Sequence, residues 1–102
     1  MAKRKNELEK EIEDDVVKDV KAFGILSIKF KVPGRRNAPD RLFLCSNGRA
    51  AFIEFKRPGK KPRRGQYAFL KALRDMGYPA TWADDRAVAI DWLFDISQRP
   101  PV

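Results

Sequence analysis

The sequence predicts an α/β fold in which helices flank a mixed β-sheet, with the elements in the order αβββαβα. Three observations predict it. Residues 6–23 repeat apolar side chains every three or four positions, as an amphipathic helix does, and residues 63–76 do so again. Between these segments, residues 41–45 and 50–56 are apolar stretches separated by turn-forming residues, which is typical of a β-hairpin. Since 102 residues suffice for one core and not for two, residues 1–102 are expected to form a single domain.

Shorter patterns predict the remaining elements. Residues 25–32 are expected to form a strand and residues 33–39 a loop, because two prolines and a glycine disfavour regular structure there. Residues 80–83 are a candidate last strand, and Asp84 is expected to cap a final helix. The apolar side chains of that helix are Val88, Ile90, Trp92 or Leu93, and Ile96.

The composition limits the classes of function. The formal charge of +8 favours a polyanionic partner, because each phosphate that is neutralised releases counterions. The absence of histidine excludes every histidine-dependent hydrolase mechanism, and the one cysteine, Cys45, can form neither an intrachain disulfide nor a structural zinc site. No apolar run approaches the ~18 residues of a membrane span. We therefore expect a cytoplasmic protein with no membrane partner and no organic cofactor.

The strongest candidate site combines Pro39-Asp40 with Glu54-Phe55-Lys56. Glu54 and Lys56 are two residues apart on a predicted strand, so their side chains share one face of the sheet. Two close carboxylates repel unless a cation lies between them, and Mg²⁺ suits oxygen ligands. We expect Asp40, Glu54 and the backbone carbonyl of Phe55 to bind the metal, with Lys56 orienting the attacking water. Such a donor set is typical of phosphodiester hydrolysis.

Whether Asp40 reaches Glu54 depends on the length of the hairpin loop. A two-residue turn would place Arg41 opposite Glu54 and turn Asp40 to the wrong face. A three-residue loop, Ser46-Asn47-Gly48, with Gly48 in the left-handed conformation, places Asp40 opposite Glu54. The candidate site therefore requires the three-residue loop.

Two further side chains are candidates to complete the site. Glu13 lies at the edge of the apolar stripe of the first helix, from which it can lean toward the sheet, and Glu9 is the competing candidate one turn earlier. Gln66 is in phase with Leu70 and Leu73, so its amide is expected to point inward, where it needs polar partners. Each of these three side chains, taken alone, is weak evidence for a site.

Basic residues flank the acids on both sides in the sequence. Side chains of this kind contact the phosphate backbone of a nucleic acid. The candidate DNA-binding residues are Arg35, Arg36, Arg57, Lys60, Lys61, Arg63 and Arg64.

These motifs resemble those of VRR-NUC domains, the virus-type replication-repair nucleases of the PD-(D/E)xK superfamily. The resemblance covers roughly residues 7–83 and is carried by Pro39-Asp40, by Glu54-Phe55-Lys56 and by the run over residues 29–42. One departure is Asn37-Ala38, since the family usually has a glycine two residues before the proline. The resemblance implies a restriction-endonuclease-like αβββαβ core, here with an added C-terminal helix, and Mg²⁺ or Mn²⁺ as cofactor. The catalytic residues it implies are Glu13 (with Glu9 second), Asp40, Glu54, Lys56 and Gln66, and Glu13 is also a possible metal ligand.

The resemblance also implies a function. Small stand-alone VRR-NUC domains are common in phages and bacteria, and are similar to archaeal Holliday-junction resolvases, which cut four-way DNA junctions as homodimers. We therefore expect a metal-dependent, structure-specific DNA endonuclease of a bacterial or phage-infected cell, with a role in DNA repair. Exposed apolar residues of the last helix are the expected dimer interface. The alternatives are a flap- or nick-directed DNA nuclease and a non-catalytic DNA-binding module with the same fold.

Overall fold

The computed structural model describes residues 5–102, with side chains from residue 8 onward. In chain order its elements are α1 (Lys5–Val20), a 3₁₀ turn (Lys21–Phe23), β1 (Leu26–Lys29), β2 (Arg41–Leu44), β3 (Ala50–Phe55), α2 (Arg64–Asp75), β4 (Ala80–Ala83) and α3 (Arg86–Ser97). The predicted order αβββαβα is confirmed. Within this part of the chain, no helix has the length and apolar content that crossing a membrane requires.

The four strands form one mixed sheet in the order β1-β2-β3-β4. β1, β2 and β3 pair antiparallel, and β4 pairs parallel to β3. The parallel pairing requires a crossover connection, which α2 supplies. α1 and α3 pack on one face of the sheet, and α2 packs on the other. The prediction of a mixed sheet flanked by helices is therefore confirmed.

β3 is buried on both of its faces. Ala51, Ile53 and Phe55 point into the larger core, beneath α1 and α3. Phe52 points to the opposite face and packs against Leu70 of α2. Because side chains alternate along a strand, this places the even-numbered residues of β3 on the α2 face of the sheet.

The β2–β3 hairpin has the three-residue loop that the candidate site requires. Arg41 pairs with Ile53 and Leu44 with Ala50, which leaves Ser46-Asn47-Gly48 as the loop. The loop is closed by a hydrogen bond from the Cys45 amide to the carbonyl of Arg49 at 2.9 Å. Gly48 has a φ of 85°, the left-handed conformation that such a loop demands. Continuing this register by one pair puts residue 40 opposite residue 54, as predicted.

The final helix begins one residue later than predicted. Asp85, and not Asp84, is its N-cap, since Asp85 Oδ1 accepts a hydrogen bond from the Val88 amide at 3.0 Å. Asp84 instead accepts a hydrogen bond from the Gly59 amide at 3.1 Å. The buried side chains of α3 are Ala89, Leu93 and Ile96. Val88, which was expected on the apolar face, is 63% exposed because the helical face that meets the core begins at the next residue.

The first predicted strand is shorter than expected, because residues 30–39 form a narrow extension of the β1–β2 hairpin. We call this extension the arm. The Phe30 amide donates to the carbonyl of Asp40 at 3.0 Å, and the Arg35 amide donates to the carbonyl of Val32 at 3.0 Å. The arm therefore leaves the sheet directly beside Asp40.

Candidate active site

The end of β3 places a carboxylate and an ammonium group side by side on the α2 face. Only 3% of Glu54 and 7% of Lys56 is exposed. Lys56 Nζ lies 3.2 Å from Glu54 Oε2. The Lys56 amide donates to the carbonyl of Ala83 at 2.9 Å, so the backbone remains held against β4 at this position. Two buried charges are costly, and pairing offsets part of that cost.

Asp40 joins this pair from the neighbouring strand. The register puts it opposite Glu54, and Asp40 Oδ2 accepts a hydrogen bond from the Phe55 amide at 2.8 Å. This bond crosses the end of the hairpin and fixes the orientation of the carboxylate. The structure thus brings Asp40, Glu54 and Lys56 together.

Gln66 reaches the same place from the first turn of α2. Its side chain is buried, and Nε2 donates to Glu54 Oε2 at 2.6 Å. Its Oε1 accepts a hydrogen bond from the Arg63 amide at 2.8 Å, which satisfies a backbone donor at the start of the helix. Gln66 therefore links the beginning of α2 to the carboxylate on β3, and its inward orientation is the one that the helical phase predicts.

Burial and nearby negative charge raise the pKa values of both carboxyl groups. Burial is the main cause for Glu54, and the charge of Asp40 adds to it, so the pKa of Glu54 rises to about 7 although Lys56 opposes the rise. The pKa of Asp40 is also raised, chiefly by burial, and the charge of Glu13 contributes more to that rise than the charge of Glu9. The positive charge around Asp40 and Glu54 is therefore too small to offset the cost of ionising both carboxyl groups.

The donor set fits a divalent cation. Glu54 Oε1 is buried and accepts no hydrogen bond from any residue that the structure describes. A buried carboxylate oxygen without a donor is costly, and a bound cation would remove that cost. Residues 8–102 contain no group of three or more Asp, Glu, His or Cys side chains arranged around one point. Two carboxylates are nevertheless sufficient for Mg²⁺, which keeps several of its waters when it binds to protein. The role expected for the Phe55 carbonyl stays a prediction.

The Glu13 carboxylate pairs with Arg41, a residue that the sequence did not indicate as part of the site. Arg41 Nε donates to Glu13 Oε2 at 2.6 Å, and their side chains are only 13% and 16% exposed. Arg41 lies opposite Ile53 and therefore points to the α1 face of the sheet, where its charge needs a buried partner. A basic residue at a core-facing position of β2 was therefore the signal in the sequence that an acid of α1 lies near it. Glu13 thus lies close enough to Asp40 to raise its pKa, with its own carboxylate engaged by Arg41.

The predicted DNA-binding residues lie on two segments that leave the site in different directions. Arg35 and Arg36 are on the arm. The others follow Lys56 in the β3–α2 connection or begin α2: Arg57, Lys60, Lys61, Arg63 and Arg64. None of the seven side chains forms an ion pair with another side chain in residues 8–102. Their charge therefore remains available to an anionic ligand.

A groove runs along the arm to Asp40. It has a volume of about 500 Å³ and lies between the arm and Glu13. Its basic lining residues are Lys29, Lys31, Arg35 and Arg36. The two lysines were not singled out from the sequence, although their spacing of two residues along a hairpin edge puts them on one side of it. We call this space the α1-side groove.

The fold matches that of a solved structure of a VRR-NUC domain. The two superpose with a TM-score of 0.76 over 85% of this chain and 94% of that chain, at 25% sequence identity. The chain has the fold of a VRR-NUC domain. It is also 46% identical over 54 residues to "Putative nuclease p44" of Acyrthosiphon pisum secondary endosymbiont phage 1. That stretch is 53% of this chain and 58% of the relative, so the chain spans less than two thirds of the relative's length. No family model matches the sequence.

The polar site of this chain is small, buried and reached along a basic surface. Asp40 and Glu54 offer oxygen ligands, and Lys56 offers an ammonium group beside them. No described side chain other than Glu54 pairs with Lys56 Nζ, so further N–H donors remain for an anionic oxygen. The site can therefore hold a cation and a phosphate oxygen next to each other.

Proposed function

We propose that this chain is a divalent-metal-dependent DNA endonuclease that hydrolyses phosphodiester bonds in branched DNA, with the four-way junction as its substrate. The observation that carries the proposal is the meeting of Asp40, Glu54 and Lys56 around a buried carboxylate oxygen that accepts no hydrogen bond from residues 8–102. The reaction would take place in the cytoplasm of a bacterial or phage-infected cell. The name of the phage relative supports the nuclease class.

Each side chain of the site has a defined task in this proposal. Asp40 and Glu54 would hold Mg²⁺ or Mn²⁺, which supplies positive charge for the phosphate in the transition state. Lys56 donates to a phosphate oxygen or to the attacking water, because its ammonium is fixed by Glu54. Gln66 keeps the Glu54 carboxylate in one orientation, and the Phe55 amide does the same for Asp40.

Substrate binding is assigned to the unpaired basic side chains around the site. Arg35 and Arg36 on the arm and the basic residues after Lys56 would contact phosphates on both sides of the bond to be cut. Contacts of this kind are independent of base sequence. The affinity for DNA should therefore fall steeply with salt concentration.

We also propose a homodimer, since resolving a four-way junction requires two incisions on opposed strands. Large apolar side chains are exposed on α3, at Val88 and Phe94, and on the edge strand β1, at Leu26 and Ile28, with Leu44 beside them on β2. Light scattering at micromolar concentration should give twice the mass of the chain. Conversion to a monomer by Val88→Glu would favour the predicted α3 interface, and conversion by Leu26→Glu would favour the sheet edge. A monomer both with and without junction DNA would contradict the dimer.

The experiment that tests the function is cleavage of end-labelled DNA of several shapes. Wild type, Lys56→Ala and the charge-matched control Lys71→Ala are incubated with a four-way junction, a flap, a nicked duplex and a linear duplex, in Mg²⁺, in Mn²⁺ or in EDTA. Lys71 is exposed and, among the described side chains, pairs with Asp75 alone, so its loss should leave cleavage unchanged. We expect symmetric paired cuts in the junction, lost in EDTA and reduced by about 10²–10³-fold or more in Lys56→Ala with DNA binding retained.

Other outcomes of that experiment would replace parts of the proposal. Cuts confined to the flap or the nicked duplex would retain the chemistry and change the substrate. Binding without cuts in either metal would contradict an enzyme and leave a DNA-binding module.

A further inference from the structure

The arm separates two grooves, and only one of them contains a residue of the candidate active site. The α1-side groove ends at Asp40. A second groove of about 410 Å³ lies on the other side of the arm, between it and α2. Its lining residues are Gly34, Arg35, Arg36, Asn37, Gly65, Ala68, Phe69 and Ala72. We call it the α2-side groove.

Packing between the arm and α2 fixes the shape of the α2-side groove. A Cβ atom on Gly65 would clash with the side-chain amide of Asn37, so Asn37 of the arm packs closely against α2 at a glycine. The guanidinium of Arg35 lies over the ring of Phe69, 5.0 Å from its centroid. These two contacts fix the distance between the arm and α2. They leave the exposed Ala68 and Ala72 as a floor of small side chains.

The charges of the two grooves suit the same kind of ligand. Lys29, Lys31, Arg35 and Arg36 form no ion pair with a side chain in residues 8–102. Arg86, in contrast, is paired with acids of α1 on the opposite face of the sheet. The α2-side groove has no acidic lining residue among those described, whereas the α1-side groove has Glu13 and Asp40. Both grooves can therefore take a phosphodiester backbone, and only the α1-side groove leads that backbone to a carboxylate.

The geometry points to a second strand-binding site: the α2-side groove holds the backbone of a second DNA strand, and the arm lies at the branch between it and the strand in the α1-side groove. Arg35 and Arg36 line both grooves, so they are shared between the two strands. The second strand is held and not cut. This inference rests on the proposed function in taking DNA as the ligand, and it names the feature of the protein that would recognise a branch.

The test places one negative charge in the α2-side groove. Ala68 is exposed on α2, so Ala68→Glu should leave the thermal midpoint of unfolding close to that of wild type. Ala87→Glu is the matched control, because Ala87 is exposed on α3 and lies outside both grooves. Binding of a fluorescent four-way junction and of an unbranched duplex with the same number of base pairs is measured in EDTA, where no cleavage intervenes.

We expect Ala68→Glu to weaken junction binding by about tenfold and duplex binding by less than about twofold, with Ala87→Glu changing both by the same small factor. Ala68→Lys should retain or strengthen junction binding. Equal weakening of junction and duplex, or no weakening of either, would overturn the second strand site. So would an equal loss in Ala68→Lys, because bulk and not charge would then be the cause.

The same variants separate this inference from the proposed function. If Ala68→Glu selectively weakens junction binding but wild type cuts no DNA with Mg²⁺ or Mn²⁺, the second strand site is supported and the nuclease proposal is contradicted. If wild type cuts DNA but Ala68→Glu does not distinguish the junction from the duplex, the nuclease proposal stands and the second strand site falls. Absence of DNA binding by wild type would overturn both.

Discussion

The two faces of β3 differ in kind although they belong to one short strand. Ala51, Ile53 and Phe55 are buried among apolar side chains of α1 and α3. Glu54 and Lys56 are also buried, but beneath α2, and Glu54 Oε1 accepts no hydrogen bond from the described residues. Because side chains alternate along a strand, one face of β3 belongs to the apolar core and the other to a polar site that is costly to bury.

The difference teaches that burial alone does not identify the stabilising residues of this protein. The apolar face contributes favourable free energy for every side chain removed from water. The polar face carries desolvated charges that the fold tolerates without being stabilised by them. Substitutions on the two faces should therefore have opposite patterns of effect on stability and activity.

The largest effect on stability is expected from the apolar face. Phe55→Ala should lower the free energy of unfolding by roughly 3–5 kcal/mol, because it leaves a cavity in the larger core. Lys56→Ala, one residue further, should lower it by less than about 1.5 kcal/mol at pH 6, since Glu54 can then take up a proton. Urea unfolding of both variants measures this contrast. A loss for Lys56→Ala as large as that for Phe55→Ala would contradict the division between the faces.

The pH dependence of stability should report the polar face. The pKa of Glu54 is raised from 4.5 to about 7 in the folded state, so between these values the folded protein binds a proton that the unfolded chain has released. The free energy of unfolding of the metal-free protein should therefore fall as the pH rises through this window, by up to roughly 3 kcal/mol. Glu54→Gln should have a smaller slope, and the raised pKa of Asp40 should account for part of what remains. Equal slopes for wild type and variant, in urea titrations with EDTA from pH 5 to 8, would refute this cause.

A smaller effect is expected at Gln66, which joins α2 to the polar face. Gln66→Leu removes the donor to Glu54 Oε2 and the acceptor for the Arg63 amide, and should cost about 1–3 kcal/mol. The loss should be greater at pH 8 than at pH 5, because an ionised Glu54 needs the donor more. The matched control is Gln98→Leu at the exposed end of α3, which should cost less than about 0.5 kcal/mol. Equal losses for the two variants would mean that the Gln66 contacts stabilise nothing.

The smallest effect concerns the loop that sets the register between the strands. Gly48→Ala should cost about 1 kcal/mol, because alanine is strained at a φ of 85° while its Cβ would meet nothing closer than 3.8 Å. Ser46→Ala in the same loop should change stability by no more than about 0.5 kcal/mol. Thermal unfolding of both variants measures the difference. No loss for Gly48→Ala would indicate that the loop does not depend on the left-handed residue.

The centre of the site could be predicted because it depends on local rules. Alternation along β3 determines that Glu54 and Lys56 share a face, and the loop length determines that Asp40 lies opposite Glu54. Gln66 followed from helical phase. In each case, the spacing of residues within one strand, one loop or one helix decides the direction of a side chain.

The rest depends on tertiary contacts that a sequence does not contain. The pairing of Arg41 with Glu13 joins residues 28 positions apart, and the sequence offered Glu9 as a second candidate. The cap of α3 was misassigned by one residue because Asp84 and Asp85 are chemically alike, and only the contact of Asp84 with Gly59 tells them apart. The two grooves arise from the direction of the arm, which the contact between Asn37 and Gly65 sets.

The most direct test of the polar face is the thermal midpoint of unfolding at pH 8 with and without Mn²⁺, for wild type, Asp40→Asn and Glu54→Gln. If the face is a metal site, saturating Mn²⁺ at ten or more times its Kd should stabilise wild type by at least about 1.4 kcal/mol, or roughly 5 °C or more. The two variants should show little of that rise. An equal rise in all three proteins, or no rise in wild type, would contradict the claim that Asp40 and Glu54 together bind the metal.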